Sequence, residues 1–93
     1  SSSVSVKVRI PSQLRQLTGG EGVVECEAGT VGEIIEALEG KFNGISERLL
    51  ENSELRRFVN IYIDGDDIRF ADGLGTKVND GSEVSVVPAV AGG

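Results

Sequence analysis

Val4, Val6, Val8 and Ile10 alternate with Ser3, Ser5, Lys7 and Arg9. That period of two predicts a strand with one buried face, which Pro11 ends. After Leu14 and Leu17, the run Thr18-Gly19-Gly20-Glu21-Gly22 turns the chain into a second strand, with Val24, Cys26 and Ala28 on the face opposite Glu25 and Glu27. Thr30-Val31-Gly32-Glu33 has the form of a capping box that opens a helix. Val31, Ile34, Ile35, Leu38 and Phe42 follow at helical spacing, and burying such a stripe contributes roughly 8–15 kcal/mol before ordering entropy is subtracted. Gly44 is placed for a left-handed stop. Ile45 before Ser46 is placed to staple onto Leu50, over a short helix from Glu47 to Leu50.

The period of two returns at Phe58, with Val59, Ile61 and Ile63 on one face and Phe58, Asn60 and Tyr62 on the other. Asp64-Gly65-Asp66 predicts a hairpin turn into a short strand carrying Ile68 and Phe70. Asp72-Gly73 and Asn79-Asp80-Gly81 mark two further turns, and a last strand sets Val84 and Val86 opposite Glu83, Ser85 and Val87. The order strand, strand, helix, strand, short strand, strand, without a repeat or linker, indicates one α+β domain.

A chain of 93 residues with 39% apolar and 26% charged positions can close one core but hardly a deep cleft. Nine Lys and Arg against 15 Asp and Glu give a formal charge of −6, which disfavours nucleic acid and anionic membranes as partners. There is no histidine, so the usual general base, the usual partner of a nucleophile and the commonest zinc ligand are all missing. Self-sufficient catalysis is not expected. The single Cys26 cannot form an internal disulfide and no apolar run is long enough for a membrane span, so a cytoplasmic protein is expected. Ser1-Ser2-Ser3 reads as a processed end or a cloning remnant rather than a signal peptide.

The feature that carries chemistry is the ending Pro88-Ala89-Val90-Ala91-Gly92-Gly93, which bears no charge and no large side chain. Such a segment fits a narrow channel in another protein and presents only a backbone carboxylate. With 13 glycines in 93 residues a chance Gly-Gly ending has a frequency of about 2%, so composition does not account for it. The carboxylate is a poor electrophile until activated. Attack on the α-phosphorus of ATP would make it an acyl-adenylate.

Thr30-Val31-Gly32-Glu33-Ile34-Ile35 and the closing Asp80-Gly81-Ser82-Glu83-Val84 to Gly92-Gly93 resemble the ThiS/MoaD sulfur carriers. Gly44-Ile45-Ser46-Glu47-Arg48-Leu49-Leu50, Arg57-Phe58-Val59-Asn60-Ile61-Tyr62-Ile63 and the tail are most similar to the actinobacterial carrier for thiocarboxylate-dependent cysteine synthesis. The resemblance implies a ubiquitin-like β-grasp over 1–87, a mixed four- to five-stranded sheet on one main helix, followed by a flexible tail over 88–93. It implies that Gly93 is adenylated by a ubiquitin-activating-type adenylyltransferase/sulfurtransferase and converted to a thiocarboxylate, with Pro88, Ala89, Val90, Ala91 and Gly92 in the partner's channel. A pyridoxal-phosphate cysteine synthase then accepts the sulfur and a metalloprotease releases cysteine. ATP, pyridoxal phosphate and zinc belong on those partners and none on this chain, which is not an enzyme. Molybdopterin, thiazole or tRNA thiolation, or conjugation to lysine as a modifier, are the alternative uses of the same tail.

Phe58, Tyr62 and Val87 are candidate docking residues, with coverage by the protein's own loops as the alternative. Cys26, among apolar neighbours and between two carboxylates that raise its pKa, reads as a core residue. Asp64, Asp66 and Asp67 lack the glycine and distal glutamate of a calcium loop, and turn chemistry explains them. The glycines of 18–22 lack the GK[ST] ending of a phosphate cradle. Arg56-Arg57 reads as a solvated strand entrance or a rim contact to an acidic partner.

Overall fold

The computed structural model describes residues 5–27, 29–52, 54–57 and 59–88. Strands β1 (Ser5–Arg9) and β2 (Val23–Glu27) form the expected opening hairpin, in a register that sets Val6 opposite Cys26 and Val8 opposite Val24. Their inward residues are buried and the alternate ones exposed, apart from a half-buried Ser5, so the period of two translates directly into a two-faced ribbon. The loop between them is anchored by Thr18, the one buried polar residue among those described. Its hydroxyl lies 3.1 Å from the Arg15 carbonyl and 2.9 Å from that of Glu21.

A two-residue strand β3 (Gly29–Thr30) leads into helix α1 (Val31–Lys41). The capping box is complete: the Glu33 amide donates to Thr30 Oγ1 at 3.2 Å, and the Thr30 amide donates to Glu33 Oε1 at 2.9 Å. Val31, Ile34, Ile35 and Leu38 are buried. Phe42, assigned above to the same stripe, is instead the extended C-cap and is only partly buried. Gly44 does adopt a left-handed conformation, with φ 97°, but it starts the next helix rather than stopping the first. That helix, α2 (Ile45–Leu49), begins earlier than the predicted Glu47, because Ile45 points into the core and is fully buried instead of stapling from outside.

Strands β4 (Leu50–Glu51) and β5 (Glu54–Leu55) make a small hairpin, and β6 (Val59–Ile63) returns to the main sheet. The turn at Asp64-Gly65 brings in β7 (Asp66–Asp67) as expected. The chain then departs from the predicted strand: Ile68–Phe70 is a turn of 3-10 helix with Ile68 buried and Phe70 92% exposed. Asp67 causes the change, because its carboxylate accepts from the Arg69 amide at 2.8 Å and caps the turn. A second 3-10 turn, Gly73–Gly75, precedes β8 (Lys77–Val78), which pairs with β3.

The last strand, β9 (Glu83–Pro88), inserts between β1 and β6, parallel to the first and antiparallel to the second. Among the described residues five strands therefore form one mixed sheet in the order β2-β1-β9-β6-β7, with α1 packed against its apolar face. This is the ubiquitin-like β-grasp. Val6, Val8, Ile34, Ile35, Leu38, Ile61 and Val84 make the centre of the core.

Candidate functional site

Because β9 occupies the middle of the sheet, the final segment leaves the fold at a defined place. Arg9 stands opposite Ser85 and Val23 opposite Arg9, while Val59 stands opposite Pro88. The C-terminal ends of β1 and β9 and the N-terminal ends of β2 and β6 therefore share one end of the sheet. Pro88, read from the sequence as the first tail residue, is the last residue of β9. Ala89, Val90, Ala91, Gly92 and Gly93 follow it and lie outside the described residues.

The outer face of the sheet beside this exit carries Tyr62, Asn60 and Val87. Tyr62 is half-buried and faces Ser85 across the ladder, whereas Val87 is 44% exposed and faces Asn60. Two of the candidate docking residues thus share one face on neighbouring strands. Phe58 lies outside the described residues. Phe70, by contrast, was read as a strand residue and stands almost fully in solvent, the most exposed large apolar side chain among those described. The signal that separates it from Ile68 is Asp67, a capping residue that opens a 3-10 turn, in which residues two apart do not share a face as they do in a strand.

Arg69 holds the β6 side of the exit. Its Nη2 donates to the carbonyls of Arg56 at 2.8 Å, Arg57 at 3.1 Å and Val59 at 3.0 Å. β7 pairs only with the far half of β6, so this guanidinium takes the place of a neighbouring strand along the near half. Arg56 donates through Nε to the Glu47 carbonyl at 3.1 Å and meets Glu51 at 3.3 Å. The arginine pair noted in the sequence therefore has one member tied into the fold.

The other candidate groups are not brought into a reactive arrangement. Cys26 is buried, and burial pushes its thiol up, with Lys41 partly opposing. The neighbouring carboxylates are not the cause: Glu25 and Glu27 point to the exposed outer face. Asp64 accepts from the Glu83 amide at 3.0 Å and Asp67 caps the 3-10 turn, so both serve the backbone. Among the described residues no cluster of Cys, Asp and Glu is placed to hold a metal ion, and no helix is long and apolar enough to cross a membrane. Gly19 and Gly20 both take positive φ, as turn residues do.

The geometry meets a family likeness that reaches the end of the chain. The sequence model of the ThiS family matches residues 8–93. The chain is 47% identical to the sulfur carrier protein CysO of Mycobacterium tuberculosis, over 97% of this chain and 100% of that one. It is 33% identical to small archaeal modifier protein 3 of Haloferax volcanii, at the same coverage. In structure it superposes on a chain of the Amycolatopsis orientalis BexX/CysO complex with a TM-score of 0.91 and 46% identity, covering 95% of this chain and 99% of that one.

Proposed function

The chain belongs to the ThiS family, and from that premise we propose that it is a sulfur carrier that works through the carboxylate of Gly93 in the service of cysteine biosynthesis. The observation that carries this reading is the extent of the family match, which runs through the whole fold to the final Gly92-Gly93.

A carboxylate oxygen of Gly93 attacks the α-phosphorus of ATP, the bond to pyrophosphate breaks, and an acyl-adenylate forms. Sulfide from a donor then adds at the carbonyl carbon and AMP leaves, so the chain ends in a thiocarboxylate. The small residues Ala89, Val90, Ala91 and Gly92 let this end enter a partner's channel, and Tyr62, Val87 and Phe58 serve docking. A ubiquitin-activating-type adenylyltransferase/sulfurtransferase supplies the first step. A pyridoxal-phosphate cysteine synthase would supply the activated serine, whose β-carbon loses its activated oxygen group and bonds to the sulfur of the thiocarboxylate. An acyl shift from sulfur to nitrogen leaves cysteine in amide linkage on Gly93, and a zinc metalloprotease cleaves it. ATP, pyridoxal phosphate and zinc are the partners' groups. This chain contributes a nucleophile held at high effective concentration and specificity from surfaces remote from the sulfur.

The likeness to an archaeal modifier protein favours one second reading, attachment of Gly93 to lysine side chains. The thiocarboxylate form of the chain, offered separately to a cysteine synthase with activated serine and to a molybdopterin synthase large subunit, separates the outcomes. Conversion with the first enzyme to a chain one cysteine residue heavier than the carboxylate form, in amide linkage, supports the proposal. Sulfur transfer only with the second overturns the pathway, and lysine conjugates in cell extract with no cysteine adduct overturn it in favour of a modifier.

A further inference from the structure

Ile68, Arg69 and Phe70 make a single turn of 3-10 helix, and their side chains go three ways. Ile68 is buried in the core, Arg69 returns to the carbonyls of Arg56, Arg57 and Val59, and Phe70 stands 92% exposed. A phenyl ring left in water forgoes one of the largest apolar gains open to a side chain. The other large apolar residues exposed among those described, Val23 at 45% and Val87 at 44%, keep more than half of their surface covered. The turn that presents the ring is firmly held. The Asp67 carboxylate accepts from the Arg69 amide at 2.8 Å, and the Ala71 amide donates to the Ile68 carbonyl at 3.0 Å. A partner that takes the ring therefore has little more than its own side-chain torsions left to freeze.

The turn also sits at the root of the tail. Val59, whose carbonyl Arg69 grips, is the residue opposite Pro88 at the end of β9. The five residues from Ala89 to Gly93 span at most about 18 Å when fully extended. An enzyme that closes on the Gly93 carboxylate must therefore bring its surface against this end of the sheet. We infer that Phe70 is a docking anchor that enters an apolar pocket beside the tail channel of the enzyme that adenylates Gly93. That enzyme is the occupant because the carrier and the modifier uses of the tail both begin with adenylation. Apolar surface continues beside the ring: Ala71 is exposed, and half-buried Leu55 and Leu74 line a recess of about 500 Å³ together with Arg69, Glu54 and Asp72. An aromatic anchor next to apolar ground with charged groups around it has the make-up of an interface centre and its rim. A second copy of the chain is a poorer occupant, since two molecules of charge −6 repel each other.

This inference rests on the carrier reading, and its test keeps the two apart. Adenylation by the ubiquitin-activating-type enzyme of the same genome is followed against carrier concentration for the unaltered chain, Phe70→Ala, Phe70→Leu and Val23→Ala. Val23 is exposed at the same end of the sheet but on its far edge strand. The expected result is a KM for the carrier raised about tenfold or more by Phe70→Ala and less by Phe70→Leu, with kcat and the KM for ATP unchanged and little effect of Val23→Ala. Phe70→Ala should melt at the temperature of the unaltered chain, because the ring packs against almost nothing. An unchanged carrier KM, or an equal rise with Val23→Ala, overturns the anchor while the carrier reading stands. A KM that rises in step with a falling melting temperature overturns it in favour of a structural role. A lowered KM overturns it by making the ring a seat for the chain's own tail. A dimer in sedimentation that Phe70→Ala dissociates overturns it by making a second copy the occupant. No adenylation of the unaltered chain, by an enzyme shown to be active, overturns the carrier reading and the anchor with it.

Discussion

Nη2 of Arg69 lies 3.0 Å from the carbonyl oxygen of Val59, the residue that stands opposite Pro88 at the end of β9. One side chain from a 3-10 turn thereby fixes the strand beside which the tail begins. Replacement by lysine keeps the charge and offers three donors on one nitrogen, but its shorter side chain ends before the position of Nη2 and does not reach the three carbonyls together. Arg69→Lys is expected to lower stability by about 1–2 kcal/mol in urea denaturation, because charge-assisted bonds to the backbone are lost at a solvent-accessible site. An unchanged midpoint would mean that water satisfies those carbonyls equally well.

The corner between α1 and α2 depends on Glu39. Its carboxylate accepts from the Gly44 and Ser46 amides, each at 3.0 Å, and from the Ser46 hydroxyl at 2.9 Å, which holds its pKa below the ordinary glutamate range. Depressed in the folded state, this group stabilises the protein above the unfolded pKa and loses that contribution as pH falls through the folded pKa. Glu39→Gln is therefore expected to melt lower than the parent at neutral pH, with the gap closing in acid. A gap independent of pH would show that shape, not charge, is what the corner uses.

Cys26 is expected to be inert. Burial keeps the thiol protonated at neutral pH, so alkylation in native buffer should follow transient opening and become rapid only in denaturant. Cys26→Ala should leave sulfur loading unchanged. Loss of loading in that variant would make the thiol a sulfur acceptor.

Local rules made much of the fold legible. Thr30 and Glu33 are three residues apart and cap each other regardless of the rest of the chain, and alternation in β1, β2, β6 and β9 named the buried face of each strand. What escaped the sequence is carried by contacts whose partners are set by tertiary placement. Glu39 reaches across a bend to Ser46, Thr18 closes its own loop through two carbonyls, and Arg69 reaches back to the entrance of β6. The tail stood out by composition, while the place where it leaves the fold depends on β9 inserting between β1 and β6, which no local pattern announces.

The central claim, that Gly93 carries the sulfur, is tested most directly by intact mass. The chain is incubated with its adenylating enzyme, ATP and a sulfide source, beside variants lacking Gly93 or extended by one residue. A gain equal to sulfur minus oxygen on the unaltered chain alone, with all three folded, is the predicted result. Equal loading of either variant, or none on the unaltered chain with an enzyme shown to be active, would contradict it.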